Sequence, residues 1–243
     1  MLDGGVEENN EVDEDESKAD RRERERLENL KDEGEEFSAY MKFRQIFYTP
    51  DGGLLIVSEQ YHHFVYTTST YTPGTSTSPG STSQRSYSVY ECGDVLLCKL
   101  DASSNVGWLK IIPKMQREVI SGSSNQDYDY FYVADRPFYA GFGTMQTKDH
   151  VLLFLNDDKV NGTVTQAGQK VRKTQRFSRT DMTTISIDPM TGAITRKFVF
   201  SNSGNPTAMP RLGTIVNNEM YLVGKTDRAL GKSKIAVGKL TVK

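Results

Sequence analysis

The feature that most constrains this chain is a recurrence. Thr49-Pro-Asp51-Gly-Gly-Leu-Leu-Ile-Val-Ser-Glu59, Thr147-Lys-Asp149-His-Val-Leu-Leu-Phe-Leu-Asn-Asp157 and Val216-Asn-Asn218-Glu-Met-Tyr-Leu-Val-Gly-Lys-Thr226 each place a polar tight turn before an apolar run. A second recurrence follows each of the first. Asp94-Val-Leu-Leu-Cys-Lys-Leu100, Thr183-Thr-Ile-Ser-Ile187 and Lys234-Ile-Ala-Val-Gly-Lys-Leu240 are extended apolar runs, and the first two lead into turns opened by Asp101 and Asp188. Short apolar runs bounded by Gly, Asn, Asp and Pro are strands, and no ten-residue window from residue 40 onward carries a helical stripe. The body is therefore expected to be all-β. Its repeating unit is four antiparallel strands, here A, B, C and D, with tight A-B and C-D turns.

The units run from about 40 to 113, 138 to 200 and 206 to 243, and strand D is missing from the third. Asp101 and Asp188 are read as turn residues, since a short carboxylate accepts hydrogen bonds from backbone amides two residues on. Asn105 and Gly192 are then the positions suited to a left-handed backbone. Trp108, the only tryptophan, is expected on strand D at a contact between units. Cys92 and Cys98 share one extended stretch, about 20 Å apart, too far for a bridge. Cys98 reads as a small core residue.

The pattern resembles exported, Bacteroidetes-type proteins with propeller-like repeats of the form Asp-Gly-Gly, apolar strand, variable loop, apolar strand, Asp, and Trp after a Gly or Asn. The matching residues are Asp51, Gly52, Gly53, Asp101, Asn105 and Trp108, followed by Ile112-Pro113-Lys114-Met115-Gln116. The resemblance implies an all-β, partial or open β-propeller-like fold of repeated four-stranded antiparallel units. It also implies a secreted or cell-envelope location. Three units fall short of the four to eight blades that close a ring. The expectation is that residues 37–243 are the C-terminal part of a longer protein, or that missing blades or a second chain cover the open sheet edges. No signal peptide is visible after Met1.

Charge divides the chain. Residues 1–36 hold 16 acidic against 6 basic side chains, a net charge of −10, within a whole-chain charge of −2. So polar a leader cannot bury enough apolar surface to offset the entropy of ordering, and reads as an acidic mobile arm or a solvated helix. The body then carries +8, but its Lys and Arg are scattered and no nucleic-acid motif occurs, so no nucleic acid is expected as a partner. No apolar run is long enough to span a membrane.

In such units the B-C loops and D-to-A links share one face, and all length variation falls there: 60–93, 158–182, 225–233 and 116–137. Insertions gathered on one face mark a binding face. The Ser/Thr/Gly-rich stretch 66–90 is a flexible loop or a strand extension. The densest cluster is Asp127-Tyr128-Asp129-Tyr130-Phe131-Tyr132-Val-Ala-Asp135. Alternation puts Tyr128, Tyr130 and Tyr132 on one side of a strand, with Asp127 and Asp129 on the other. With Asp135 they are the candidate ligand-binding residues, by ring stacking and hydroxyl acceptance, as in a glycan groove; packing between units would use the same rings.

His62, His63 and His150 make no zinc motif, Asn156–Gly162 lacks the ligands of a calcium loop, and no phosphate loop or nucleophile elbow occurs. No metal and no cofactor are expected, and no catalytic residue can be named. The expected function is a non-catalytic binding or scaffold domain that engages a glycan or protein through the loop-rich face. The alternative is a carbohydrate-active propeller enzyme whose catalytic set lies partly upstream of Met1.

Overall fold

The structure, a computed structural model, describes residues 40–122, 136–217, 219–226 and 234–241. Among them the only helical elements are three short 3-10 turns, Lys159–Thr163, Phe177–Arg179 and Pro210–Leu212; all other regular structure is strand. The strands form three antiparallel sheets. The first joins β1 (Met41–Tyr48), β2 (Leu54–Thr72), β3 (Ser81–Leu100) and β4 (Val106–Ile112) in sequence order, with β5 (Gln116–Gly122) added to the far end of β3. The second is β6 (Phe142–Gln146), β7 (Val151–Asp157), β8 (Asp181–Ile187) and β9 (Ile194–Ser201), again in order. In the third, β12 (Glu219–Lys225) is flanked by β10 (Thr207–Ala208) and β11 (Thr214–Val216) on one side and by β13 (Ile235–Thr241) on the other. Three consecutive meanders thus match the three sequence units. Strand A of the third is broken in two by the 3-10 turn at Pro210, whose ring removes a ladder donor. Among the described residues nothing pairs with the outer edge of β13.

The turns account for the Asp positions. Asp51 accepts from Thr49 Oγ1, Gly53 N and, at 2.8 Å, Lys99 Nζ, which reaches across from β3. These bonds hold its carboxyl well below the usual range, at about 2, the Lys99 bond contributing most. Asp149 sits in the equivalent turn, closed by the Thr147 and His150 backbones at 2.8 Å. Asn218 lies outside the described residues, although its neighbours Val216 and Glu219 pair directly. Asp101 accepts from the backbones of Ser103 and Asn105, and Asp188 from those of Met190 and Thr191. Gly192 has the expected left-handed backbone, but in the first unit that conformation falls on Ser104 rather than Asn105, whose side-chain amide instead bonds Asp101.

Packing between sheets follows from strand alternation. Leu55 and Val57 of β2 and Val95 and Leu97 of β3 point toward the second sheet, where they meet Val151, Leu153, Leu155, Ile185 and Ile187. The opposite face of that sheet presents Leu152, Phe154 and Met182 to Ala208, Met220 and Leu222 of the third. All seven residues of β7 are buried. Each fully buried aliphatic side chain of this size contributes about 1.5–3 kcal/mol relative to exposure. Trp108 lies on β4, half-buried against the first interface, and its ring abuts Gly192 in the β8–β9 turn of the next sheet. Lys110 seals the same junction by donating to Gly192 O at 2.6 Å. Both cysteines lie on β3 as free thiols, and it is Cys92, not Cys98, that is fully buried.

The Ser/Thr-rich insertion is a strand extension. β2 and β3 stay in continuous register from Tyr61↔Cys92 out to Thr72↔Ser81, a two-stranded ribbon beyond the reach of β5. Leu153→Ala, which opens a cavity between the first two sheets, should cost about 2–5 kcal/mol in chemical denaturation. Replacing residues 68–85 by an Asn-Gly turn should change stability by less than about 0.5 kcal/mol, because the ribbon tip buries nothing.

Candidate functional site

Asp127, Tyr128, Asp129, Tyr130, Tyr132 and Asp135, the residues singled out in the sequence, lie outside the described residues. The segments on either side of them do not. β5 and the stretch resuming at Arg136 line a cleft of about 490 Å3, together with Gln175–Arg179 from the β7–β8 loop, Met209, and Lys225 at the end of β12. All three sheets contribute to it. It opens on the face that carries the long connections, and its volume is that of an ordinary small-molecule site.

Its floor is aromatic. Tyr139 stacks on Phe177 with ring centres 5.9 Å apart, and Phe138 meets Tyr139 edge-on at 6.5 Å. Tyr61, Tyr90 and Met209 continue the same cluster beneath them. Glu118 fixes the segment that presents Tyr139: its buried carboxylate accepts from the backbone N–H groups of Phe138, Tyr139 and Ala140 at 3.0, 2.7 and 2.8 Å. The 170s loop is tied down separately. Thr174 exchanges backbone hydrogen bonds with Met115 and Arg117, a parallel bridge onto the start of β5 that sets Phe177 in the floor. Arg176 and Arg179 stay exposed at the rim. Tyr139 and Phe177 are buried against each other, so the ring the cleft offers is the half-buried Phe138; with the cationic, amide and hydroxyl donors at the rim it can grip a polar ligand that offers a flat apolar patch, hydroxyls or a carboxylate.

A buried polar spine holds these parts in place. Asn156, with no exposed surface, donates to Tyr139 O and Ala208 O, accepts from Asn202 Nδ2, and receives Gln116 Nε2 at its carbonyl. One side chain and its backbone thereby join the first sheet's β5, both flanks of the second sheet and the third. Gln116 Oε1 accepts from Gly141 N, where the backbone takes φ +85°, and a Cβ at that position would press on Arg211. Asp157 pairs with Arg196, which also donates to Pro113 O across the sheet boundary.

The second buried charge is Glu59. Lys114 donates its three protons to Glu59, Cys92 O and Gln116, at 2.8, 2.8 and 3.1 Å, while Arg44 binds the other Glu59 oxygen. Burial opposes ionisation of Glu59, but Lys114, Arg44 and Arg211 outweigh it and hold the carboxyl below its ordinary 4.5. Lys42, Arg44 and Arg211 also sit over the Tyr61 ring at 4.3, 4.7 and 5.3 Å, and burial raises its hydroxyl to about 12. Burial likewise pushes the Cys92 thiol to about 12, so it is not a thiolate nucleophile.

Among the described residues no group of three His, Cys, Asp or Glu side chains could hold a metal ion. His63 stacks on Tyr90, and His62 lies 3.8 Å from Glu91. Asp158, in the calcium-loop-like stretch, accepts from Val160 N as a helix cap. The sequence reading overlooked Arg176, Phe177 and Arg179. The usable signal was charge density: Lys170-Val-Arg-Lys-Thr-Gln-Arg176-Phe-Ser-Arg179 is the most basic stretch on the loop-bearing face. No family model, no curated protein and no solved structure matches the chain.

Because the folded-state pKa of Glu59 is depressed, its contribution is present in full above pH 4.5 and is lost as pH falls through the lower folded value. Glu59→Gln should cost about 3–5 kcal/mol at neutral pH by leaving Lys114 and Arg44 without a counter-charge. The melting curves of variant and wild type should converge as the pH is taken below 4.5.

Proposed function

We propose that the three sheets are blades of a propeller-like stack whose loop-bearing face is a non-catalytic binding surface, with a glycan as ligand. The observation that carries this reading is the cleft that Phe138, Arg176 and Arg179 build where the three sheets meet. Sugar rings offer flat C–H faces to aromatic side chains, and their hydroxyls suit guanidinium and amide donors. The two arginines at the rim favour a glycan bearing carboxylate groups. The carboxylates described near the cleft are committed to structure: Glu118 to three amides, Asp157 to Arg196 and Asn161. The sequence resemblance to exported repeat proteins supports a secreted or cell-envelope setting, where such ligands occur.

Arg176 and Arg179 are exposed, so removing them should spare the fold. An array of neutral and acidic glycans, with acidic peptides as a separate panel, should show the wild type binding acidic glycans. Arg176→Ala/Arg179→Ala should weaken that binding at least about tenfold with an unchanged melt. Binding confined to the peptide panel, or glycan binding that the double variant retains, would refute the assignment.

A further inference from the structure

Arg179 lines a second cleft as well as the first. This one, of about 540 Å3, is formed by β8, β9 and the 3-10 turn Lys159–Thr163. Its floor is the outer end of two cross-strand rows of the second sheet, Leu155-Thr183-Phe198 and Asp157-Asp181-Ser201. Exposure climbs along the first row. Leu155 lies in the core between the first two sheets, Thr183 is buried, and Phe198 is 64% exposed. In the run Phe198-Val199-Phe200, the last two pack on the core shared with the third sheet, and Val199 is the extra residue of a bulge. Phe198 is therefore the exposed one of the four phenylalanines in β6 to β9. Polar groups surround its ring. Lys159 and Lys197 are exposed on the walls, and Asp181 is half-buried. Arg196 gives its terminal nitrogens to Asp157 and Pro113 O, but its buried Nε has no hydrogen-bond partner among the described residues.

We infer that the ligand is a chain, an acidic oligosaccharide that runs from the first cleft across Arg179 into the second, where Phe198 takes the face of a further sugar ring. This rests on the glycan reading of the first cleft. Two clefts with a common arginine make one continuous track, and they share a composition. Each offers one ring to a ligand, Phe138 in the first and Phe198 in the second, with cations and hydroxyls beside it. A guanidinium has donors on more than one edge, so Arg179 can bind the acidic groups of consecutive sugars. The second cleft favours the same charge as the first. Lys159, Arg179 and Lys197 stand against Asp181, while Asp158 is taken up by Arg172 and by Val160 N. Asp181 is placed to accept from sugar hydroxyls. A small anion would use the cations and leave Phe198 bare; a flat C–H face covers it. Filling the second cleft from a chain already held in the first is an intramolecular step, which can raise affinity by about 10²–10⁴-fold over either cleft alone.

Two series of uronic-acid oligomers, oligogalacturonates and hyaluronan fragments from disaccharide to octasaccharide, titrated into the full chain would test this. Affinity for at least one series should climb with length and then level off. Phe198→Ala, which truncates an exposed side chain and should melt like the wild type, should weaken octasaccharide binding at least about tenfold. It should change disaccharide binding by less than about twofold, because the first cleft is untouched. Phe198→Trp keeps a stacking face and should keep the dependence on length. Affinity that does not depend on length, or octasaccharide binding that Phe198→Ala leaves as in the wild type, would overturn the chain-spanning site. So would a Phe198→Ala loss equal at every length, which would put the ring in the same subsite as the disaccharide. If neither series binds at any length the inference also falls, and acidic glycans bound on the array would then leave the first cleft's reading standing by itself.

Discussion

Everything described depends on β7 being buried on both sides. A strand facing solvent on one side alternates apolar and polar residues, but Val151-Leu-Leu-Phe-Leu155 has no polar position because each side faces a different sheet. Removing either neighbour would expose alternate residues of the same strand. The first and third sheets are thus coupled through the second, as well as directly where Met209 and Arg211 meet Tyr61, and a cavity on one side of β7 is felt as strain on the other.

The apolar run ends in Asn156-Asp157, and there the role of the strand changes from packing to alignment. Hydrophobic contact has no direction, so it permits neighbouring sheets to slide; a buried amide with all its partners in place does not. Asn156 reaches three separate segments, and Asn202 closes the set by accepting from Ala208 N. The charged groups nearby follow the same logic. Lys114 is tolerated without solvent because each of its protons has an acceptor. The aromatic cleft therefore sits on a rigid base, which lets a site made of loop residues hold its shape.

Much of the architecture was legible from residue order alone, since turn chemistry and burial pattern act locally. Asp51, Asp101, Asp149 and Asp188 are where a reader of turns would put them, and the three meanders fall within a few residues of the units inferred from the repeat. What could not be read depends on partners distant in sequence. β5 is a strand only because the extended β3 offers it a free edge, and of the two readings open for the Ser/Thr-rich stretch, loop or strand extension, only its pairing with itself decides for the extension. The buried pairs Glu59–Lys114 and Asp157–Arg196 join residues 55 and 39 positions apart, so no local pattern announces them. The cleft is assembled from β5, the 170s loop and two later segments, and only the basic character of that loop hinted at it.

The β2–β3 ribbon carries a further consequence. From Val89, where β5 supplies a third strand, to Thr72 at its tip, the ladder passes from buried to wholly exposed with no change in hydrogen-bond pattern. A two-stranded ribbon without an apolar face is marginal by itself. Its amides should therefore exchange with solvent deuterium in a gradient, slowest beside β5 and fastest at residues 72–81. The ribbon can fray from its far end inward while the three sheets stay shut, so proteolytic nicking there would leave the folded body whole.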